Sequence, residues 1–122
     1  MSRVEITENR GPEVIDSWSK DVDADASKNY GPIVNVRLYT LHSYQVMNDS
    51  ENEATFRIIG SNYTDETSGT ASTDFSENWT TISTHYIPAN SSLAYSDIWN
   101  FKYASIHLEG LGPVRVYEKH NA

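Results

Sequence analysis

The sequence predicts an all-β fold, a single antiparallel β-sandwich or jelly-roll-like domain with an extended N-terminal arm. Short segments rich in β-branched and aromatic residues alternate between apolar and polar positions, which is typical of strands with one buried face. Runs of Gly, Pro, Asn, Asp and Ser separate these segments as turns. No capping box opens an apolar run with helical spacing, so no helix is predicted. A length of 122 residues allows one domain with a substantial core.

Two strands are predicted in the first half of the sandwich. Residues 33–41 alternate with period two, and residues 44–47 extend the same sheet. Residues 54–61 form the second strand, after a polar turn. The long loop 62–78 that follows is almost entirely polar, and loops of this length are often functional. The inward side chains predicted for the two strands are Val34, Val36 and Leu38, and then Ala54, Phe56 and Ile58.

The second half of the sandwich contributes the remaining strands. Residues 79–84 form one strand, and Pro88 beyond it disfavours a central position in the sheet. Residues 93–99 form a short strand, and residues 102–109 form another with Ala104, Ile106 and Leu108 inward. The Gly- and Pro-containing turn that follows predicts a last strand over residues 114–117 that pairs back as a hairpin.

Residues 1–31 differ from the predicted sandwich over residues 32–122. No period lasts more than a few residues, apart from a short apolar group around residues 14–18 that predicts one short strand. A polar run follows over residues 19–27. Isolated large apolar residues in an arm need a surface to pack on, which is either the chain's own domain or a neighbour. The sequence therefore predicts an extended arm.

Charge and composition exclude several classes of function. Nine Lys and Arg against 17 Asp and Glu give a formal net charge of −8, which disfavours a nucleic-acid partner. The chain has no cysteine, so it has neither disulfides nor Cys-ligated metal sites. No apolar run approaches the ~18 residues of a membrane span, and the first residues lack the layout of a signal peptide. We therefore expect no membrane partner.

No motif predicts catalysis, a metal site or a cofactor. The acidic run 21–25 resembles the start of a calcium loop, but Ala26 and Pro32 occupy the positions that need Gly and Glu. The four histidines lack the spacing of a metal pair and are interpreted as surface residues. Nucleophile elbows, phosphate-binding glycine loops and zinc-protease motifs are absent from the sequence. The chain is therefore predicted not to be an enzyme.

Aromatic residues suggest a contact surface. Eight Tyr, three Trp and three Phe are more than one core needs once Phe56, Trp79 and Phe101 are placed inside. Half-exposed Tyr is ordinary in strands, but Tyr and Trp are also favoured at protein interfaces and on sugar-binding surfaces. A protein partner is preferred to a sugar because the aromatic residues show no fixed spacing.

The order of motifs from residue 33 to residue 117 resembles small β-sandwich virion proteins of tailed bacteriophages, including capsid decoration (cement) proteins. Gly-Ser-Asn at residues 60–62, then Trp79, Ile82 and Phe-Lys-Tyr at residues 101–103 carry the resemblance. Discoidin-like and other galactose-binding-like jelly rolls have a similar order. The insertion at residues 62–78 departs from the short Asn-Asp-Gly turn usual in such patterns.

The resemblance implies a non-enzymatic structural protein that is made in the host cytoplasm and then binds and stiffens the outer shell of a phage head. Its expected partners are the major capsid protein or other virion proteins, and its expected state is a homo-oligomer, with a trimer as the first hypothesis. The arm would lie along neighbouring subunits, and aromatic and aliphatic anchors would make the contacts. The predicted partner-binding residues are Val14, Ile15, Trp18, Tyr30, Tyr63 and Trp99.

The alternative is a carbohydrate-binding β-sandwich module of a phage tail fibre or a host-surface protein. Trp79, Trp99 and Tyr63 would then stack on sugar faces. Another small tail or neck structural protein is also compatible with the pattern.

Overall fold

Eight antiparallel strands make up most of the part of the chain that the computed structural model describes, residues 13–122. The alternation of inward apolar and outward polar side chains explains why most of these segments form strands. Their bounds are β1 (Glu13–Val22), β2 (Val34–Asn35), β3 (Leu41–Asn48), β4 (Ala54–Ser61), β5 (Thr80–Ile87), β6 (Ser92–Ile98), β7 (Tyr103–Glu109) and β8 (Gly112–Asn121).

The strands form two four-stranded sheets with the topology of a jelly roll. Sheet I has the order β1-β8-β3-β6, and sheet II has the order β2-β7-β4-β5. Every connection crosses between the sheets except that from β4 to β5, as expected for two Greek keys folded together. The predicted sandwich is confirmed. A single 3₁₀ turn over Ala26–Lys28 is the only helical segment of the described residues, which hold no helix long and apolar enough to cross a membrane.

The core lies between the inward faces of the two sheets. β4 and β7 are register neighbours in the middle of sheet II, and their predicted inward residues are all buried. Removing these aliphatic and aromatic side chains from water is the main stabilising contribution. The inward residues of these two strands are Ala54, Phe56 and Ile58 on β4 and Ala104, Ile106 and Leu108 on β7.

The strand predicted over residues 33–41 is corrected by the structure. Only Val34–Asn35 pairs with β7, and the chain then crosses to sheet I, where β3 begins at Leu41. The Tyr39 N–H donates to the Val36 carbonyl at 2.9 Å and closes a turn inside the predicted strand. Val36 is buried as expected, but Leu38 is 62% exposed. Period-two alternation continued through the crossing, so it could not show where the strand ended.

The predicted arm is corrected for residues 13–31, which belong to the sandwich. β1 pairs with β8 over ten residues, and Val22 at its end is buried in the core. Trp18 packs across Gly31, where a Cβ atom would come within 2.5 Å of the indole ring. The inward row of β1 alternates apolar residues with Asp16 and Lys20, which hid the period from the sequence. Residues 1–12 of the predicted arm lie outside the described residues.

The predicted hairpin between the last two strands is also wrong. β8 lies in sheet I between β1 and β3, whereas β7 lies in sheet II. The chain crosses between the sheets through Gly110 and Gly112, which have φ values of 137° and 111°. Only glycine adopts such conformations readily, so this pair forms a crossover rather than a tight hairpin turn. β8 is ten residues long and pairs on both sides.

The integration of β1 into the sandwich gives a stability prediction. Val22→Ala is expected to lower the free energy of unfolding by about 2 kcal/mol, because it removes buried methyl groups and leaves a cavity. Ile15→Ala is the matched control on the same strand, since Ile15 is 71% exposed, and it should change the value by less than about 0.5 kcal/mol. Urea unfolding followed by circular dichroism measures both. Equal, small effects would show that β1 contributes little to the fold.

Candidate functional site

A pair of buried histidines occupies the inward face of sheet I. His42 on β3 and His120 on β8 are register partners, and both are fully buried. Their Nδ1 atoms lie 2.8 Å apart, within hydrogen-bond distance. The alternation of β3 and β8 places both rings inward because they share a parity with Val46 and Val116. The two central strands of the sheet are therefore joined by a side-chain contact inside the sandwich.

Further polar contacts extend this pair across the whole sheet. The other ring nitrogen of His42, Nε2, lies 2.9 Å from the Trp99 carbonyl, just beyond the end of β6. His120 Nε2 lies 2.8 Å from Glu118 Oε1. Trp18 on β1 donates its indole N–H to Glu118 Oε2 at 2.7 Å. Three strands of sheet I and the residue that follows β6 thus contribute to one chain of contacts, which we call the histidine cluster.

The hydrogen-bond partners fix where the protons of the histidine cluster lie. A carbonyl only accepts, so His42 Nε2 carries a hydrogen that it donates to Trp99. The Nδ1 atom of a neutral His42 is then an acceptor, and His120 Nδ1 donates to it. One more proton lies between His120 Nε2 and Glu118, as an imidazolium–carboxylate pair or as a neutral pair. Every nitrogen of both rings is thereby hydrogen-bonded.

Burial sets the electrostatics of the histidine cluster. Burial, with a smaller contribution from the nearby His120, lowers the pKa of His42 to about 4, because the charged imidazole would lose its hydration; the hydrogen bond to the Trp99 carbonyl offsets part of this shift. The indole of Trp99 covers the His42 ring at a centroid distance of 3.4 Å with nearly parallel planes. Burial and the Glu118 carboxylate raise the pKa of Tyr44, because both disfavour the negatively charged form of its hydroxyl. This hydroxyl is enclosed without a hydrogen-bond partner. His42 is thus neutral at pH 7.

The enclosure of the histidine cluster decides what chemistry it can do. A general acid or base must reach the proton it transfers, but His42 and His120 are fully buried and Glu118 is nearly so. Across residues 13–122, no three His, Cys, Asp or Glu side chains are placed to hold a metal ion. The cluster is therefore a structural element of the core.

The histidine cluster corrects the interpretation of the histidines as surface residues. His42 and His120 are separated by 78 positions, so no spacing rule could pair them. The signal that was available is parity, since His42 alternates with Tyr44 and Val46, which are both buried. His107 points away from the core as predicted, and its Nε2 lies 2.8 Å from the Ala26 carbonyl.

The solvent-facing side of sheet I carries exposed apolar side chains. Leu41 and Ile98 are register partners on β3 and β6, and they are 43% and 74% exposed. Ile15 and Tyr117, on β1 and β8, are also exposed on this side. Cross-strand partners lie about 5 Å apart at their Cβ atoms, so Leu41 and Ile98 form one apolar contact area. We call this side the outer face.

A shallow groove of about 330 Å³ crosses the outer face. Small side chains of β3 and β6 form its floor, and Ile15, Tyr117 and Lys119 form one wall. The outward positions of β3, β6 and β8 include no Asp or Glu, although the chain has a net charge of −8; on β1, Glu13 lies 4.0 Å from Lys119, and Asp21 also points outward. Arg115 on this face is neutralised by a two-pronged contact with Asp49. The outer face is therefore close to neutral, whereas the acidic residues concentrate elsewhere.

The six predicted partner-binding residues do not form one patch. Ile15 lies on the outer face, and Tyr63 is exposed in the loop after β4. Trp18 and Trp99 belong to the histidine cluster, and half-buried Val14 lies opposite His120 in the register. Tyr30 is stacked between Phe75 and His107, with centroid distances of 4.0 and 4.4 Å. Leu41, Ile98 and Tyr117, which are exposed on the outer face, were not among the predicted residues.

The loop 62–78 is anchored to the sandwich by two aromatic rings. Phe75 stacks on Tyr30 and also contacts Trp79. Trp79 is half-buried and donates its indole N–H to the Ser72 carbonyl at 3.0 Å. The prediction that Phe56 lies in the core is confirmed, whereas Phe101 is only half-buried. Trp79 and Trp99 therefore do not present free rings to solvent.

Comparisons with known proteins give only distant similarities. No family model and no curated protein match the sequence. The SPBc2 prophage-derived protein YomS matches with a TM-score of 0.47 and 16% identity, over 89% of this chain and 96% of that chain. The structure of PirA matches with a TM-score of 0.47 and 11% identity, over 88% and 93%. Bacillus endospore appendage pili match with a TM-score of 0.40 and 12% identity, over 90% and 85%. Similarities at this level carry no argument about function.

The histidine cluster gives a prediction for Glu118. Glu118→Ala is expected to lower the free energy of unfolding by about 3 to 5 kcal/mol, because it leaves Trp18 and His120 without their buried partner. Glu118→Gln should cost under about 1.5 kcal/mol, since its oxygen still accepts from Trp18 and its amide group donates to a neutral His120. Urea unfolding at pH 7 compares the two. If both variants lowered the free energy of unfolding by the same small amount, these hydrogen bonds would not stabilise the fold.

The lowered pKa of His42 predicts a dependence of stability on pH. The unfolded chain takes up a proton on this residue near pH 6.5, but the folded chain does so only near pH 4. The free energy of unfolding should therefore fall as the pH decreases from 7 to 4, by up to about 3 kcal/mol. His42→Asn should flatten the slope, leaving a smaller one of the same sign from His85, whose pKa burial also lowers. Urea unfolding at pH 7.5, 6.0 and 4.5 tests this, and a wild-type stability that is constant over that range would contradict it.

Proposed function

We propose that this chain is a non-enzymatic structural module that binds another protein through the outer face of sheet I. The observation that carries this proposal is the exposed apolar pair Leu41 and Ile98 beside a near-neutral groove. An exposed apolar area on an otherwise charged chain favours a contact surface. The rigid sheet beneath holds these side chains in place, which reduces the entropy lost on binding.

The non-enzymatic part of the proposal is supported by the enclosure of the histidine cluster. Its hydrogen-bonding groups are used within the core, and its histidine rings do not reach solvent. The exposed groove, by contrast, is lined mainly by apolar, hydroxyl and amide side chains, with Lys119 and the nearly buried Glu118 as its charged residues. Such a surface suits binding more than proton transfer or nucleophilic attack.

Capsid decoration is the specific form of this function that we propose. The chain would bind the major capsid protein on the outer shell of a phage head, and it would act as a homo-oligomer, with a trimer as the first hypothesis. The jelly roll supplies a stiff body, and the outer face supplies a contact surface without like-charge repulsion. Acidic residues in the loops, among them Asp23, Glu51 and Glu66, would keep decorated particles soluble.

Carbohydrate binding is the second candidate. The groove on the outer face combines the exposed ring of Tyr117 with the hydroxyl, amide and ammonium groups of Ser43, Gln45 and Lys119. Aromatic rings and such polar groups together can bind sugars. Trp99 contributes less than the sequence predicted, because its ring covers His42.

Binding to capsids tests the proposed function. Purified protein is analysed by size-exclusion chromatography with light scattering, alone and with capsids assembled without it. A stable oligomer that moves to the capsid fraction is the expected result. Ile98→Asp should reduce the bound fraction at least tenfold, because it places a charge in the apolar contact. Tyr86→Asp is the matched control, since Tyr86 is an exposed residue on an edge strand of sheet II, and it should bind normally.

The opposite results are equally informative. Protein that ignores capsids, or an Ile98→Asp variant that binds them as well as wild type, would overturn decoration through the outer face. A glycan array with wild type and Tyr117→Ala then tests the second candidate. Sugar binding that Tyr117→Ala abolishes would establish carbohydrate recognition in the groove.

A further inference from the structure

The two facing nitrogens of His42 and His120 can be 2.8 Å apart only if a proton lies between them. Two bare lone pairs at that distance would repel each other, and so would two N–H groups. The outer nitrogens do not relieve this constraint, because His42 Nε2 donates to Trp99 and His120 Nε2 faces Glu118. The contact therefore requires one hydrogen on one of the two Nδ1 atoms, and no more.

We propose that this shared proton is a latch that joins β3 to β8, and that a second proton opens the sandwich beside Trp99. Protonating the pair again would give both Nδ1 atoms a hydrogen and place a cationic His42 ring against the N–H of His120 in the core. The contact must then break, and one ring must move toward water. His42 is the ring placed to do so, because it is packed against Trp99 at the end of β6.

The charged and titratable groups around the pair do not remove this constraint. The cross-strand rows of sheet I that hold the cluster contain no Lys or Arg, and Lys20, the next inward residue of β1, lies opposite Val114. Asp97 favours a charged His42 through space, but its carboxylate is engaged by the Tyr95 hydroxyl and the Ile98 N–H. The titratable groups that face the pair from the surrounding strands are Glu118 (β8), Tyr44 (β3), Asp97 and Tyr95 (β6), Asp16 (β1) and His85 (β5, sheet II).

Opening at this point would affect one end of the sandwich and leave the rest intact. The apolar part of the core around Ile106 supplies no member of the cluster's chain of hydrogen bonds, although Tyr44, Trp18 and Trp99 pack against it. Trp99 lies directly after β6 and its N–H donates to the Thr40 carbonyl at 3.1 Å, so its indole ring can turn away from His42 while the backbone pairing of β3 and β6 stays in place. Ile98 precedes it directly, so the opened state would also displace a residue of the outer face. This last consequence rests on the proposed function, whereas the latch does not.

Nuclear magnetic resonance of the whole chain tests the latch directly. In protein with ¹⁵N-labelled histidine and tryptophan at pH 7, one proton signal should correlate with both Nδ1 atoms through an N–H···N hydrogen bond. Lowering the pH through about 4, where the folded chain takes up a proton on His42, should abolish this signal and shift the Trp99 indole N–H signal. The Trp79 indole, bound to the Ser72 carbonyl, is the internal control and should keep its position while circular dichroism still reports strands.

Variants and a metal analysis complete the test. Trp99→Phe assigns the indole signal, and His107→Gln, outside the cluster, should leave the acid transition unchanged. His42→Asn should remove the transition. A wild-type protein without the shared-proton signal at pH 7, or with that signal intact at pH 4, would overturn the latch. So would one equivalent of bound metal by mass spectrometry, since the ion would then join the two nitrogens. Simultaneous loss of the strands and of the Trp79 signal would overturn local opening at Trp99.

Discussion

The fold depends on β8 pairing on both sides in the middle of sheet I. It joins β1, near the start of the described chain, to β3, so both neighbours are distant in sequence. Without β8, β1 would have no partner in its sheet, and β3 would pair only with β6. Because such long-range pairing requires large loops to close, the jelly roll forms as a cooperative unit rather than strand by strand.

The inward face of β8 divides the core into two chemically different parts. Val114 and Val116 pack with aliphatic residues of the opposite sheet, whereas Glu118 and His120 continue the same row as polar groups. Buried polar groups are stable when they are hydrogen-bonded, and the ring nitrogens of both histidines and the Glu118 carboxylate meet this condition, whereas the Tyr44 hydroxyl and the Trp99 indole N–H do not. The apolar part supplies most of the stability, and the cluster fixes the register at one end of the sheet. Because the contact between His42 and His120 holds one proton, we expect this end of sheet I to change when the pair takes up a second one.

The outer face and the histidine cluster lie on opposite sides of one sheet. Alternation along β3 directs Leu41 outward and its neighbour His42 inward, and along β6 it keeps Ile98 exposed while Tyr95 packs on the core. A rigid, hydrogen-bonded interior thus supports an exposed apolar exterior. This separation agrees with a module whose surface binds a protein and whose ionisable groups serve its own structure.

The sequence by itself determined the fold class and the identity of the best-patterned strands. Segments 54–61 and 102–109 were predicted with their inward residues because residues 54–58 and 104–109 alternate; the first alternation ends where the pairing with β5 shifts register, between Ile58 and Ile59. Alternation is a local property, so it could not show that residues 36–40 cross between the sheets. It also could not show that the irregular segment around residues 13–22 finds a partner in β8.

Only the tertiary structure decided the candidate sites. His42 and His120 meet because β8 returns to pair with β3, and no spacing in the sequence encodes that meeting. Trp18 and Trp99 were predicted to bind a partner, but the sheet places Trp18 against Glu118 and Trp99 against His42. Leu41 and Ile98 became a contact area through strand register. The physical reason is the same in each case: side-chain neighbours in a sheet are set by long-range backbone pairing, which local patterns do not specify.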